Sequence, residues 1–150
     1  MTTTPTWWTP ERVDRLEAEA AQWIGTPFAP NSCARGLGAS CQKLAGALYD
    51  SAGYRPVVIP DVPISHARFS DRSFVIEFFS GRDDFSEVGH GDIMPGDILA
   101  FRIGRCVHHV GVALSGHRFI HALDGSGVSI AHRQDATWAS RLAHVWRPEP

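Results

Sequence analysis

The spacing of apolar residues divides the chain into a helical first part and a last third of alternating strands. Near the N-terminus, Thr9-Pro10-Glu11 supplies a capping hydroxyl, a first-turn proline and an acidic residue, which together are typical of a helix start. A stripe of apolar residues follows at helical spacing: Val13, Leu16, Ala20, Trp23 and Ile24. We therefore predict a first helix that runs to about residue 24 and ends at Gly25.

A second helix is predicted to begin at Cys41, after a loop of Gly, Pro and Ser that covers residues 25–40. Ser40 is suited to cap this helix and Gly53 to end it. Its buried stripe is the set Cys41, Leu44, Ala45, Leu48 and Tyr49. Cys41 is then in the first turn, where the positive end of the helix dipole favours a thiolate. Cysteine is also a common core residue, so its position alone leaves a structural role open.

The segment 54–92 carries no pattern that indicates chemistry. Prolines 56, 60 and 63 keep the backbone extended or turning. A short helix is predicted over 71–79, where four apolar residues supply one face. We expect the aromatic residues of this segment to lie in the core, with the wall of a groove as the alternative.

The last third alternates with a period of two and predicts an antiparallel meander. Its strands are predicted at 97–103, 109–114, 118–122 and 128–131, followed by a short helix at 138–142 and a strand at 144–147. Helices first and a sheet afterwards indicate an α+β fold, with the N-terminal helices packed on one face of a C-terminal antiparallel sheet. A length of 150 residues predicts one domain, residues 1–150.

Two histidines in these strands are candidate partners for a catalytic thiol. On its strand, His109 shares a face with Gly111, whose small size leaves room beside the ring. If the following loop is 115–117, His121 lies opposite Gly111 and on the same face as His109. A cysteine nucleophile needs an imidazole to take its proton and a third polar group to orient that imidazole. Cys41, His109 and His121 supply these three types of group.

Other arrangements of the same residue types stay open. Cys106 lies beside the turn before His109 with no helix to activate it, so we assign it a structural role. A disulfide between Cys33 and Cys41 is a further alternative, and it would leave Cys41 without the free thiol that a nucleophile needs. A zinc site is a third hypothesis, although the Cys and His spacings fit no familiar ligand pattern, and we expect neither a metal nor another cofactor.

Five segments around these residues resemble the NlpC-type cell-wall cysteine peptidases, a papain-like family that cleaves the peptide stems of peptidoglycan. The segments are Trp23-Ile24-Gly25-Thr26-Pro27-Phe28, Gly38 to Leu48, Met94-Pro95-Gly96-Asp97-Ile98, His109-Val110-Gly111-Val112 and Phe119-Ile120-His121-Ala122. The long glycine-rich approach to Cys41 and the stretch from Asp97 to Arg105 look closest to the branch found in phage tails and gene-transfer particles.

The resemblance implies a papain-like fold in which Cys41 is the nucleophile, His109 the general base and then acid, and His121 the orienting residue. It also implies hydrolysis of the bond between γ-D-glutamate and diaminopimelate or lysine, through an acyl-enzyme and without a metal. The expected partners are peptidoglycan stem peptides and, for the particle branch, phage-tail-like proteins.

Three positions that the resemblance places in substrate binding depart from the family's usual residues. The family usually carries Asp before the cysteine and Ser after it, where this chain has Ser40 and Gln42, and a tyrosine is common at Phe28. The usual Asp is associated with the free amine of the stem peptide. An alternative hypothesis is therefore a non-catalytic or altered-specificity binding or tail-assembly module with the same fold. Acyl transfer to an amine or lipid instead of water also stays open.

Composition and charge exclude some classes of binding partner. A formal net charge of -2, with 43% hydrophobic and 20% charged residues, is ordinary for a soluble globular protein and gives no electrostatic footprint for nucleic acid. No stretch is apolar enough for a membrane span, and residues 1–8 lack the pattern of a secretory signal. We therefore expect synthesis in the cytoplasm, followed by association with a particle or release to act on the cell wall.

Overall fold

The computed structural model describes residues 3–61, 63 and 65–150. Its helices are α1 (Pro10–Trp23), α2 (Cys41–Ser51), α3 (His66–Phe69), α4 (Phe74–Ser80) and α5 (Ala136–Arg141). Its strands are β1 (Cys33–Ala34), β2 (Gly38–Ala39), β3 (Phe85–Glu87), β4 (Ile98–Ile103), β5 (Cys106–Ala113), β6 (Arg118–Leu123), β7 (Gly127–His132) and β8 (Leu142–Pro148). Within the described residues, no helix combines the length and apolar character needed to cross a membrane.

A six-stranded antiparallel sheet forms the C-terminal part, in the order β3-β8-β4-β5-β6-β7. The predicted meander is correct from β4 to β7. It is wrong for β8, which returns to pair with β4 in the interior of the sheet, and β3, which the sequence did not predict, pairs with β8 at the edge. The α+β fold class is confirmed.

Capping residues fix the starts of the two long N-terminal helices. The Thr9 hydroxyl accepts a hydrogen bond from the Arg12 backbone N–H, and the Ser40 hydroxyl accepts one from that of Lys43. Both predicted helices are confirmed. Ile24 is an exception within the first predicted stripe, because its backbone has left the helical conformation and its side chain is 52% exposed.

The central strands are apolar on both faces. On β4, Ile98 and Ala100 pack with α1, α2 and α4 in the main core, whereas Leu99 and Phe101 belong to a second cluster on the opposite face. Trp138 of α5 packs on that second cluster. The N-terminal helices therefore cover one face as predicted, while α5 covers part of the other.

Three short elements differ from the sequence-based expectation. The predicted helix over 71–79 begins only at Phe74, where the Ser73 hydroxyl caps it. The glycine-rich loop before Cys41 contains the β1–β2 hairpin, and the proline-rich segment contains α3. Hairpins of two residues a strand and single-turn helices are too short to give a periodic pattern.

A buried ion pair joins the first residue before β4 to the last strand. Arg147 and Asp97 are both fully buried, and the guanidinium donates to both carboxylate oxygens at 3.0 and 2.8 Å. Arg147 also donates to Asp92 and to the backbone oxygen of Thr4. This pair ties the N-terminal segment and β8 to the sheet entry.

Replacing Asp97 by Asn is expected to lower the free energy of unfolding by about 3 kcal/mol, because it leaves the partly exposed Asp92 as the remaining counter-charge of the buried guanidinium. Urea denaturation monitored by tryptophan fluorescence measures this change. Glu77→Gln is the matched control, since it breaks an ion pair with Arg72 in which both side chains are more than half exposed and should change little. Equal effects of the two substitutions would contradict this account of Asp97.

Candidate active site

Cys41 is the first residue of α2 and its side chain is 7% exposed. Its thiol lies against β5, because the backbone N–H of Val110 hydrogen-bonds to the sulfur. The backbone N–H groups of Cys41 and Gln42 also contact it. Two free N–H groups of the helix start and one N–H of β5 therefore contact the sulfur, and the predicted position of Cys41 in the first turn of a helix is confirmed.

Burial dominates the acidity of this thiol. Loss of hydration and, less strongly, the negative charge of Asp61 raise the pKa of Cys41, the three backbone N–H groups lower it, and the net result is a pKa of about 12. The helix start alone was expected to favour the thiolate. The thiol is instead protonated at neutral pH, because the desolvation of a buried anion outweighs the helix dipole.

His109 and His121 lie side by side on neighbouring strands. Val112 pairs with Ile120 and Ala113 with Phe119, and Leu114 bonds to Arg118 across a loop of residues 115–117. This is the predicted register, and it places His121 beside Gly111. The Nε2 atom of His109 is 2.8 Å from Nδ1 of His121.

Gly111 permits this close approach of the two strands. A Cβ atom there would lie 2.9 Å from Cδ2 of Phe119 and 3.0 Å from the backbone oxygen of Ile120. Any larger residue would therefore displace β6 and with it His121. The predicted role of Gly111 as the small neighbour of His109 is consistent with this geometry.

Both imidazoles are buried among aromatic side chains. The ring centroid of Trp138 is 5.7 Å from that of His109 and 4.9 Å from that of His121, and Phe101 packs on His109 at 5.9 Å. Burial lowers the pKa of His121 to about 4. Burial also holds the pKa of His109 well below its usual value, and electrostatic repulsion between the two rings, were both protonated, lowers it further. Both rings are therefore neutral at pH 7.

A pocket with a volume of about 120 Å³ brings the thiol and His109 together. Of the residues that the resemblance places in substrate binding, Phe28 and Gln42 line the pocket, whereas Ser40 does not line it but caps α2 and donates to the lining residue Asp61. His108 lines it as well, because a bulge in β5 opposite Phe101 and Arg102 interrupts the strict alternation of the strand. His121 does not line the pocket and reaches it only through His109.

Asp61 lines this pocket, although it lies in the segment 54–92, where the sequence pattern indicated no chemistry. Its carboxylate accepts hydrogen bonds from the Ser40 hydroxyl at 2.7 Å and from the Asn31 backbone N–H at 2.9 Å. The signal for it in the sequence is weak: an acidic residue between two prolines. Asp124, in the turn after β6, is a second pocket carboxylate that the sequence analysis missed.

The resting thiol of Cys41 donates a hydrogen bond to Gln42 and not to His109. Its sulfur donates to Oε1 of Gln42 at 3.0 Å, and Nε2 of the same amide donates to the backbone oxygen of His108 at 3.3 Å. No hydrogen bond joins Cys41 to His109 in the described part of the chain. The Gln42 amide therefore holds the thiol in its protonated form.

The alternative uses of the cysteines receive no support from the geometry. Cys33, Cys41 and Cys106 are all free, so the open disulfide alternative is not realised in this structure. Cys106 is buried at the start of β5, away from a helix terminus. Over residues 3–61, 63 and 65–150, no three His, Cys, Asp or Glu side chains are placed to hold a metal ion.

The alkylation rate of Cys41 by iodoacetamide is expected to rise about tenfold per pH unit from pH 7 to 10 without a plateau, because the raised pKa keeps the thiolate a minor species throughout. Peptide mass spectrometry separates Cys41 from Cys33 and Cys106. Gln42→Ala should accelerate Cys41 alkylation at pH 8, since it removes the acceptor of the thiol proton, whereas Gln134→Ala at an exposed position should not. A plateau near neutral pH would contradict the protonated resting state.

Comparison with known proteins identifies the family. The family model described as "NlpC/P60 family" matches residues 47–147, a range that includes His109 and His121 and begins after Cys41. "Murein DD-endopeptidase MepS/Murein LD-carboxypeptidase" of Escherichia coli K12 is 33% identical over 60 residues. That alignment covers 40% of this chain and 32% of the relative, so the chain spans about a third of the length of this curated protein.

Solved structures share the fold over nearly the whole chain. A lipoprotein-like NLP/P60 protein of Staphylococcus aureus superposes with a TM-score of 0.71 and 24% identity, covering 100% of this chain and 45% of that protein. The NlpC/p60 domain of the peptidoglycan hydrolase SagA gives 0.62 and 20%, covering 89% and 96%. The peptidoglycan hydrolase RipB of Mycobacterium tuberculosis gives 0.57 and 18%, covering 91% and 64%. With the family match extending over more than half of the sequence, the chain belongs to the NlpC/P60 family.

Proposed function

We propose that this protein is a cysteine peptidase that hydrolyses peptidoglycan stem peptides at a γ-D-glutamyl–diamino acid bond, with Cys41 as the nucleophile. The main observation behind this proposal is a pocket lined by both Cys41, at the start of a helix, and His109. The Nε2 atom of His109 is 2.8 Å from Nδ1 of His121. Family membership supports the substrate class, because relatives with this fold are named as murein endopeptidase and peptidoglycan hydrolases.

The hydrogen bond between the two histidines supports Nδ1 of His109 as the nitrogen that acts on the thiol. If His109 donates its Nε2–H to Nδ1 of His121, its own Nδ1 carries a lone pair and is the only ring nitrogen left for Cys41. His121 then fixes both the tautomer and the orientation of His109. Because both rings are neutral at pH 7, His109 is in the form that a base requires.

Acylation begins when the Cys41 thiol leaves Gln42 and passes its proton to Nδ1 of His109. The sulfur attacks the carbonyl carbon of the scissile amide and forms a tetrahedral oxyanion. The Cys41 backbone N–H, in the first turn of α2, is a donor for this oxygen. The C–N bond then breaks, the leaving nitrogen takes the proton from His109, and the acyl group stays on Cys41 as a thioester.

Deacylation uses the same groups with water as the nucleophile. Nδ1 of His109 accepts a proton from the water, whose oxygen attacks the thioester carbonyl. The C–S bond breaks, the proton returns to the sulfur, and the carboxylic acid product leaves. The neutral starting thiol and imidazole are restored at the end of the cycle.

A second candidate function is that of a non-catalytic or altered-specificity binding module, and two observations support it. The thiol is bonded to Gln42, and its pKa is raised to about 12. In this case stem peptides occupy the pocket without being cleaved. Association with phage-tail-like proteins stays a prediction, since the relatives described above are named for cell-wall hydrolysis and not for particles.

Hydrolysis of purified muropeptides separates the two candidates. The wild-type protein is expected to release products that Cys41→Ala does not, and His109→Ala should lower kcat/KM by at least about 10²-fold, the scale of general base catalysis. His121→Ala should lower it less, and His121→Asn should recover part of the loss, because the amide oxygen can accept the His109 Nε2–H. Liquid chromatography with mass spectrometry identifies the bond cleaved.

His132→Ala is the matched control, since this histidine lies exposed at the end of β7 and outside the pocket. Identical products from wild type and Cys41→Ala would exclude Cys41 as the nucleophile. Binding of muropeptides by both proteins with no products from either would favour the binding module.

A further inference from the structure

The charges that line the pocket beside Cys41 have one sign. Asp61 and Asp124 are the acidic lining residues, and no lysine or arginine is among the described residues that line it. His108 and His109 also line the pocket, but burial lowers the pKa of both rings, so they add no positive charge at neutral pH. A small, partly enclosed pocket with two carboxylates and no cation favours a positively charged ligand group.

Asp61 is the more firmly placed of the two carboxylates. Its Oδ2 atom accepts from the Ser40 hydroxyl at 2.7 Å and from the Asn31 N–H at 2.9 Å. Its Oδ1 atom has no protein donor among the described residues, and no lysine or arginine there lies within ion-pair distance of the carboxylate. One oxygen is therefore anchored while the other is available to a ligand. Asp124 is exposed and makes no such anchoring bond among those residues.

The anchor connects Asp61 directly to the nucleophile. Ser40 caps α2 and precedes Cys41, so the bond from its hydroxyl fixes the distance between the carboxylate and the thiol. The charge of Asp61 also contributes, after burial, to the raised pKa of Cys41, which reflects the same proximity. An ammonium group on this carboxylate would oppose that effect as it binds.

We propose that Asp61 is a specificity residue whose carboxylate binds an ammonium group of the substrate beside Cys41. The proposal rests on the proposed function for the identity of the substrate. A stem peptide offers two such groups, the amino terminus and the side-chain amine of the diamino acid, and both form the same charge-assisted hydrogen bond. Ser40 takes part as the anchor of this carboxylate.

Binding by the Cys41→Ala variant tests this assignment without turnover. The probes are four forms of a synthetic L-Ala–γ-D-Glu–L-Lys peptide: both amines free, the amino terminus acetylated, the side chain acetylated, and both acetylated. Acetylation of the amine that Asp61 binds is expected to raise the Kd by about tenfold, because it removes a charge-assisted bond. The arm in which this loss occurs identifies which amine is recognised. Isothermal titration calorimetry measures each Kd.

The Asp61→Asn change in the Cys41→Ala background should reduce the difference between free and acetylated peptides to less than about twofold, since the neutral amide lacks the charge. The asparagine oxygen can still accept from Ser40 and Asn31, and an unchanged melting temperature verifies the fold. Asp83→Asn, at an exposed position outside the pocket, is the matched control and should leave the preference intact, and Asp124→Asn should weaken it less than Asp61→Asn does. The proposal is overturned if Asp61→Asn keeps the preference, if Asp124→Asn removes it, if acetylation of neither amine matters, or if no form binds.

Hydrolysis by the wild-type protein, measured separately, distinguishes the two proposals. Asp61-dependent binding of a free amine without any cleavage would overturn the proposed peptidase function and leave the specificity assignment standing. Cleavage of free and acetylated peptides with equal kcat/KM would overturn the specificity assignment of Asp61 and leave the proposed peptidase function standing.

Discussion

The pairing register of β5 and β6 is the constraint on which the candidate site depends. Because side chains alternate along a strand, a shift of one residue would turn His121 to the opposite face and break its bond to His109. The loop of residues 115–117 sets this register, and Gly111 allows the strands to approach closely enough for the 2.8 Å contact. Trp138 covers both rings on the far side. The position of His109 is therefore determined by the sheet.

Burial gives this site a neutral resting state. The same exclusion of water that raises the pKa of Cys41 lowers those of His109 and His121, so a proton on sulfur is favoured over an ion pair. Gln42 reinforces this state by accepting the thiol proton. In such a site, charge has to develop as the substrate binds and reacts, and the N–H groups of the α2 start and the carboxylate of Asp61 are the fixed groups that can respond to it.

Local patterns predicted the parts of the site that local rules determine. The cap at Ser40, the helix start at Cys41 and the common face of His109 and His121 all follow from periodicity and one loop length. Asp61 was missed because its role depends on a contact with Ser40, 21 residues away, that no periodic pattern encodes. The return of β8 beside β4 was missed for the same reason. The hydrogen bond from the thiol to the neighbouring Gln42 was missed because the orientation of that amide depends on the backbone oxygen of His108, 66 residues away.

The most direct test of the central claim is the protonation state of the two histidines, measured by long-range ¹H–¹⁵N NMR of the wild-type protein at pH 7, with His109→Gln and His121→Gln used for assignment. We expect two neutral rings, each with its proton on Nε2, and a His109 Nε2–H signal shifted by its hydrogen bond to His121. An imidazolium at His109, or a His109 proton on Nδ1, would contradict this expectation, because neither form leaves a lone pair to accept the proton of Cys41.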